Sequence, residues 1–159
     1  MPLLKTLSLA TLFVLFSLMF IGGYVSASGV GLSCPNWPLC PQGIIPDRSF
    51  IIEYFHRSVA ATTALLVITT MAFTLKSKIA PKGMKISSVI AAGAAIGQVT
   101  LGGVVIVERL HALLVTGHLG LGLILFSMMV MTVLYAYKID YSKSKVSQPS
   151  KINQRRVNN

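Results

Sequence analysis

Ionisable side chains are scarce in this chain: charged residues make up 11% of 159, and Asp and Glu together number only 4. So little charge over so much apolar sequence rules out a water-soluble domain. Two cysteines with no nearby histidine set rule out a structural zinc site. The sequence also lacks a P-loop, a dinucleotide-binding glycine fingerprint and a catalytic serine arrangement, and has no polar stretch large enough to fold around a nucleotide. Any chemistry must therefore be run by a cofactor held among apolar helices.

Hydrophobic residues make up 53% of the chain and mean hydropathy is +0.72. Runs of roughly 20 apolar residues cross a bilayer core, and four are present, at about 7–27, 52–75, 86–107 and 111–137. Lys5 and the Val25-Ser26-Ala27 step give the first run some likeness to a secretory signal. Its apolar core is too long for one, and three spans follow. The expected fold is all-α: a four-transmembrane-helix bundle over residues 1–137, followed by a basic, disordered tail over 138–159.

Charge sets the expected orientation. Lys5, the lysines at 76, 78, 82 and 85, and the basic residues of the tail fall on one side, which the positive-inside rule assigns to the cytoplasm. Both termini are then cytoplasmic. The other side carries Arg48, Arg57 and Arg109 against Asp47, Glu53 and Glu108, and its formal charge cancels. The net charge of +10 is thus accounted for by topology and attraction to anionic lipid, and no nucleic-acid partner is expected. All the lysines are inside and all the outer cations are arginines, the side chain suited to bidentate pairing with carboxylates.

The loop at 28–51 contains both cysteines, the only tryptophan and a cluster of prolines, in Gly31-Leu32-Ser33-Cys34-Pro35-Asn36-Trp37-Pro38-Leu39-Cys40-Pro41. Proline fixes φ and removes a donor, so this segment cannot be a regular helix and needs another restraint. A disulfide between Cys34 and Cys40 would supply about 2 kcal/mol, and the oxidising side of a membrane permits it. Free thiols and a redox-active pair remain the alternatives.

The second span opens with Glu53-Tyr54-Phe55-His56-Arg57, and helical spacing puts Glu53, His56 and Arg57 on one face. Alone, the trio also reads as an interfacial cluster in which Glu53 pairs with Arg57. His118 changes the weighting, because the second and fourth spans both descend from the outer side. Both histidines then lie roughly 9–14 Å inward. An intramembrane imidazole is costly without a partner, and two imidazoles facing each other across a bundle can hold a heme iron from both sides. His111, close to the interface, reads better as a polar partner for Arg109, Glu108 or a heme propionate. Glycines at 93, 97, 102, 103, 117, 120 and 122 would give a flat macrocycle room, although Gly93 and Gly97 alone also read as a close-packing step.

Several of these stretches together resemble the heme A synthases, membrane enzymes of cytochrome oxidase biogenesis: Gly22-Gly23-Tyr24-Val25, Gly31 through Cys40, Ile52 through Arg57, Gln98 through Gly103, and Gly117-His118-Leu119-Gly120. The likeness covers about 10–135. It implies oxidation of the C8 methyl of heme O to a formyl group by successive hydroxylations. It also implies that His56 and His118 ligate the substrate heme, with Arg57 beside it, that Glu53 is a carboxylate needed for activity, and that Cys34 and Cys40 are the family's extracytoplasmic pair.

Members of that family have two four-helix halves, the second holding a heme b cofactor, whereas this chain has one. A homo-oligomer is therefore expected, in the plasma membrane of a prokaryote, with the Cys loop outside. Heme O synthase and oxidase assembly proteins are its expected partners, and a quinone or other acceptor takes the electrons. The alternative function is a noncatalytic di-histidine heme protein, for membrane electron transfer or heme delivery.

Overall fold

The computed structural model describes residues 2–34, 36–37 and 50–146. Four helices follow one another: α1 (Pro2–Ala27), α2 (Ile51–Lys76), α3 (Lys82–Val107) and α4 (Ala112–Val146). Each contains a window long and apolar enough to cross a membrane. At 26 residues, α1, α2 and α3 are each about 39 Å long, more than a hydrocarbon core of roughly 30 Å requires. Large side chains on their outer faces, among them Phe13, Phe16 and Phe20, are more than half exposed. That surface suits acyl chains rather than water, and the molecule is an integral membrane protein.

The helices run further than the apolar runs suggested. α1 starts at Pro2 and α3 at Lys82, because a lysine stem can lie along apolar surface while its head reaches water. α4 continues past 137 to Val146, so the first stretch of the basic tail is helical rather than disordered. No proline or glycine interrupts it there. The remainder of the tail lies outside the described residues.

Pro81 precedes α3 in extended conformation, a place where its missing N–H costs nothing. The α3–α4 turn is tighter. Arg109 and Leu110 take positive φ, at 49° and 62°, and the Leu110 N–H returns to the Val105 carbonyl at 2.8 Å. The left-handed conformation costs a non-glycine residue roughly 1–2 kcal/mol. Packing of the Leu110 side chain against Gly31 offsets it, and a Cβ on Gly31 would stand only 3.4 Å away.

Contacts join α1 to α2, α2 to α3, α3 to α4 and α4 to α1, and among the described residues the backbones of the diagonal pairs stay farther apart. The bundle is therefore a closed ring in which α2 and α4 oppose each other across the centre. One half of that centre is packed by Leu15, Val67, Ala91, Ala95, Leu125 and Met129. Hydroxyl pairs reinforce this half: Thr11 with Thr70 at 3.0 Å, and Ser87 with Thr132 at 2.8 Å. In a membrane such interhelical bonds are each worth about 0.6 kcal/mol. At the end where the N-terminus and the late part of α4 meet, Lys5 Nζ sits 4.2 Å from the centre of the Tyr137 ring.

Candidate functional site

The other half of the bundle is built differently. No residue is fully buried between Leu15 and Val25 on α1, between Glu53 and Thr63 on α2, between Ala95 and Gly103 on α3, or from Ala112 to Leu121 on α4. All four helices thus share a band, towards the Cys-loop end, in which no residue is fully buried. His56 and His118 lie in this band. His56 is five residues into α2 and His118 six into α4, so both rings sit about 8–9 Å from the ends of their helices. Because α2 and α4 are diagonal, the two histidines stand on opposing helices of the ring.

Each imidazole rests on a glycine of the preceding helix. A Cβ on Gly22 would stand 3.0 Å from His56 Cε1, and a Cβ on Gly102 would stand 3.3 Å from His118 Cε1. In both rings Nδ1 is enclosed and has no hydrogen-bond partner, while Nε2 is not enclosed. The nitrogen farther from the backbone is therefore the one available to a ligand. Neutral imidazole nitrogens of this kind are common axial ligands of heme iron. Among the described residues no group of three or more His, Cys, Asp or Glu side chains could hold a bare metal ion.

Glu53 and Arg57 occupy the mouth. The Glu53 carboxylate is only 2% exposed. One oxygen, Oε2, accepts the Cys34 backbone N–H at 2.8 Å and the Ser33 hydroxyl at 3.0 Å, while Oε1 accepts Arg57 at 2.5 Å. Arg57 also donates to the carbonyls of Cys34, at 2.6 Å, and Asn36, at 2.5 Å. The expected face of Glu53, His56 and Arg57 is present, but two of its three members are turned to the loop. Cys34 is fully buried and is not a free thiol. Cys40, its expected partner, lies outside the described residues, as do Asp47 and Arg48.

The loop also reaches α3. A Cβ on Gly103 would stand 3.0 Å from the Trp37 indole, so the residue next to the His118 seat is a seat for the loop tryptophan. Gln98, one turn below Gly102, donates through Nε2 to the His118 carbonyl at 2.8 Å. That approach needs Gly122, whose Cβ would lie 2.7 Å from the same nitrogen. His111 is exposed, and among the described residues no side-chain hydrogen bond or ion pair joins it to Arg109 or Glu108. An apolar groove of about 380 Å³, lined by Phe20, Ile21, Tyr24, Ile51, Ile52 and Phe55, lies between α1 and α2. No histidine or carboxylate lines it, so it is distinct from the histidine site.

Residues 46–157 match the COX15-CtaA family, described as cytochrome oxidase assembly protein. The chain belongs to this family. Among curated relatives, heme A synthase of Bacillus licheniformis is 31% identical over 145 residues, which covers 89% of this chain and 48% of that protein. Heme A synthase of Bacillus pumilus is 30% identical over 160 residues, covering 96% of this chain and 51% of its own length. A third, from Exiguobacterium sibiricum, is 31% identical over 138 residues, or 82% and 46% of the two chains. The chain spans about half the length of the curated relatives it matches.

Proposed function

We propose that this protein is a heme A synthase-like oxidoreductase that converts the C8 methyl of heme O to a formyl group for cytochrome oxidase biogenesis. The observation that carries the reading is the pair of imidazoles, His56 and His118, at matched depth on diagonal helices, each with Nδ1 enclosed and unpartnered and Nε2 left available. The family match and the named relatives support it.

His56 and His118 would hold the heme iron through Nε2, and bound heme supplies the redox chemistry. This chain's own residues do the rest. The Glu53 carboxylate, one helical turn before His56, is held by donors from Cys34, Ser33 and Arg57, so its orientation is set before any substrate enters. A carboxylate fixed at low dielectric is a preorganised negative charge, suited to stabilising positive charge that develops nearby or to relaying a proton. Arg57 and the loop, closed by a Cys34–Cys40 disulfide, would keep water from the mouth.

The basic ends of the helices support a topology with cytoplasmic termini and the loop on the outer face of a prokaryotic plasma membrane. In a homo-oligomer a second copy would provide another heme site, for heme b as cofactor. Heme O synthase would supply the substrate, and a quinone or other acceptor would take the electrons removed from the methyl carbon.

Coexpression with heme O synthase, followed by pigment extraction, tests the reaction: heme A or its hydroxylated precursor is expected. Heme O that is bound but never converted, with oxidation partners present, would favour a noncatalytic di-histidine carrier. The engagement of both Glu53 oxygens by the protein itself is the one observation that favours that second reading.

A further inference from the structure

We propose that Gly22 and Gly102 are positioning residues that fix the planes of the two iron-ligating imidazoles, so that the helix preceding each histidine, rather than the histidine's own helix, sets ligand orientation. This deepens the heme reading above and rests on it.

The chain carries the arrangement twice. Gly22 lies five residues before the end of α1, and Gly102 lies five before the end of α3. Each faces the Cε1 edge of the histidine on the following helix, at 3.0 and 3.3 Å from where a Cβ would stand. Each histidine is followed, fourteen residues on, by a threonine bonded to a hydroxyl of the same preceding helix: Thr70 to Thr11 and Thr132 to Ser87. Two hairpins related by an approximate repeat therefore present two equivalent imidazoles.

A histidine plane normally needs a hydrogen bond from Nδ1 to hold its orientation, and partners of this kind are common at metal sites. Neither Nδ1 has one here. The χ2 torsion of histidine is broad, so without a polar tether it must be limited by contact. Edge contact with a bare helix backbone provides that limit on one side. A Cβ at 22 or 102 would need the facing ring to give by a few tenths of an ångström.

In low-spin ferric heme with two imidazoles, the angle between ligand planes sets the splitting of the iron dπ orbitals and so the EPR g values. The test is EPR of the full chain loaded with heme, as Gly22→Ala and Gly102→Ala, beside Gly23→Ala and Gly93→Ala. The last two make the same exchange on the same helices, where a new Cβ meets nothing within 4 Å. The first pair is expected to keep its heme and shift its largest g value, and the second pair to superimpose on wild type. Superimposable spectra for Gly22→Ala and Gly102→Ala, or equal shifts in all four variants, would overturn the inference.

The apo proteins provide a second measurement for variants that load poorly. The His56 Cε1–H NMR resonance should move in Gly22→Ala and stay in Gly23→Ala, and an unmoved resonance also overturns the proposal. A wild-type protein that takes up no heme, although its His56 resonance responds to Gly22→Ala, would instead defeat the heme reading while leaving the packing relation intact.

Discussion

The carboxylate of Glu53 accepts the backbone N–H of Cys34 at 2.8 Å, and both residues are sealed from solvent, at 2% and 0% exposure. Arg57 completes the link by donating to the Cys34 carbonyl. The turn of α2 that carries His56 is therefore fastened to the loop through both polar groups of one residue, and loop and ligand share a support.

This fastening separates two roles for Glu53. Glu53→Gln keeps an acceptor for Cys34 and Ser33 while removing the charge, whereas Glu53→Ala removes both. If the charge serves the reaction, both variants bind heme and neither forms heme A, with Glu53→Gln melting close to wild type and Glu53→Ala lower. Full conversion by Glu53→Gln would leave Glu53 only its structural part.

Arg57 gives a stability prediction. Removing one member of a buried ion pair leaves the other uncompensated, at a cost of about 3 kcal/mol. Arg57→Met should lower the melting temperature in detergent and expose the loop to protease. Arg57→Lys should rescue little, because an ammonium lacks the planar fork that serves Glu53 and two carbonyls together. A Lys variant as stable as wild type would show that charge alone suffices.

The Gln98 contact with the His118 carbonyl predicts non-additivity. Gln98→Leu should cost about 1 kcal/mol, and Gly122→Ala should cost a similar amount by displacing the same amide. The double variant should be little worse than either alone, since both remove one interaction. Thermal melts of the three proteins check it, and fully additive losses would mean that Gly122 acts elsewhere.

The four spans were plain in the sequence, since apolar run length is a one-dimensional signal, and the cost of an intramembrane imidazole singled out His56 and His118 as candidates. Helix ends were less legible: lysine stems extend α1 and α3 beyond their apolar runs, and α4 continues into basic sequence because no breaker stops it. The seats at Gly22 and Gly102 could not be read from composition, because a glycine in an apolar helix looks the same whether it faces lipid, like Gly23, or an imidazole. The sequence does carry one trace of them: a threonine follows each of His56 and His118 at the same interval, marking the repeat that pairs α1–α2 with α3–α4. The role of Ser33 was invisible, since only the fold brings the loop back to Glu53.

The central claim is that His56 and His118 clasp one heme iron between them. Its most direct test is the absorption and EPR spectrum of the protein purified from cells making heme O, beside His56→Ala and His118→Ala. Wild type is expected to show a six-coordinate low-spin heme that is lost, or becomes high-spin, in each variant. An unchanged low-spin spectrum in either variant, or a wild-type protein without heme, would contradict it.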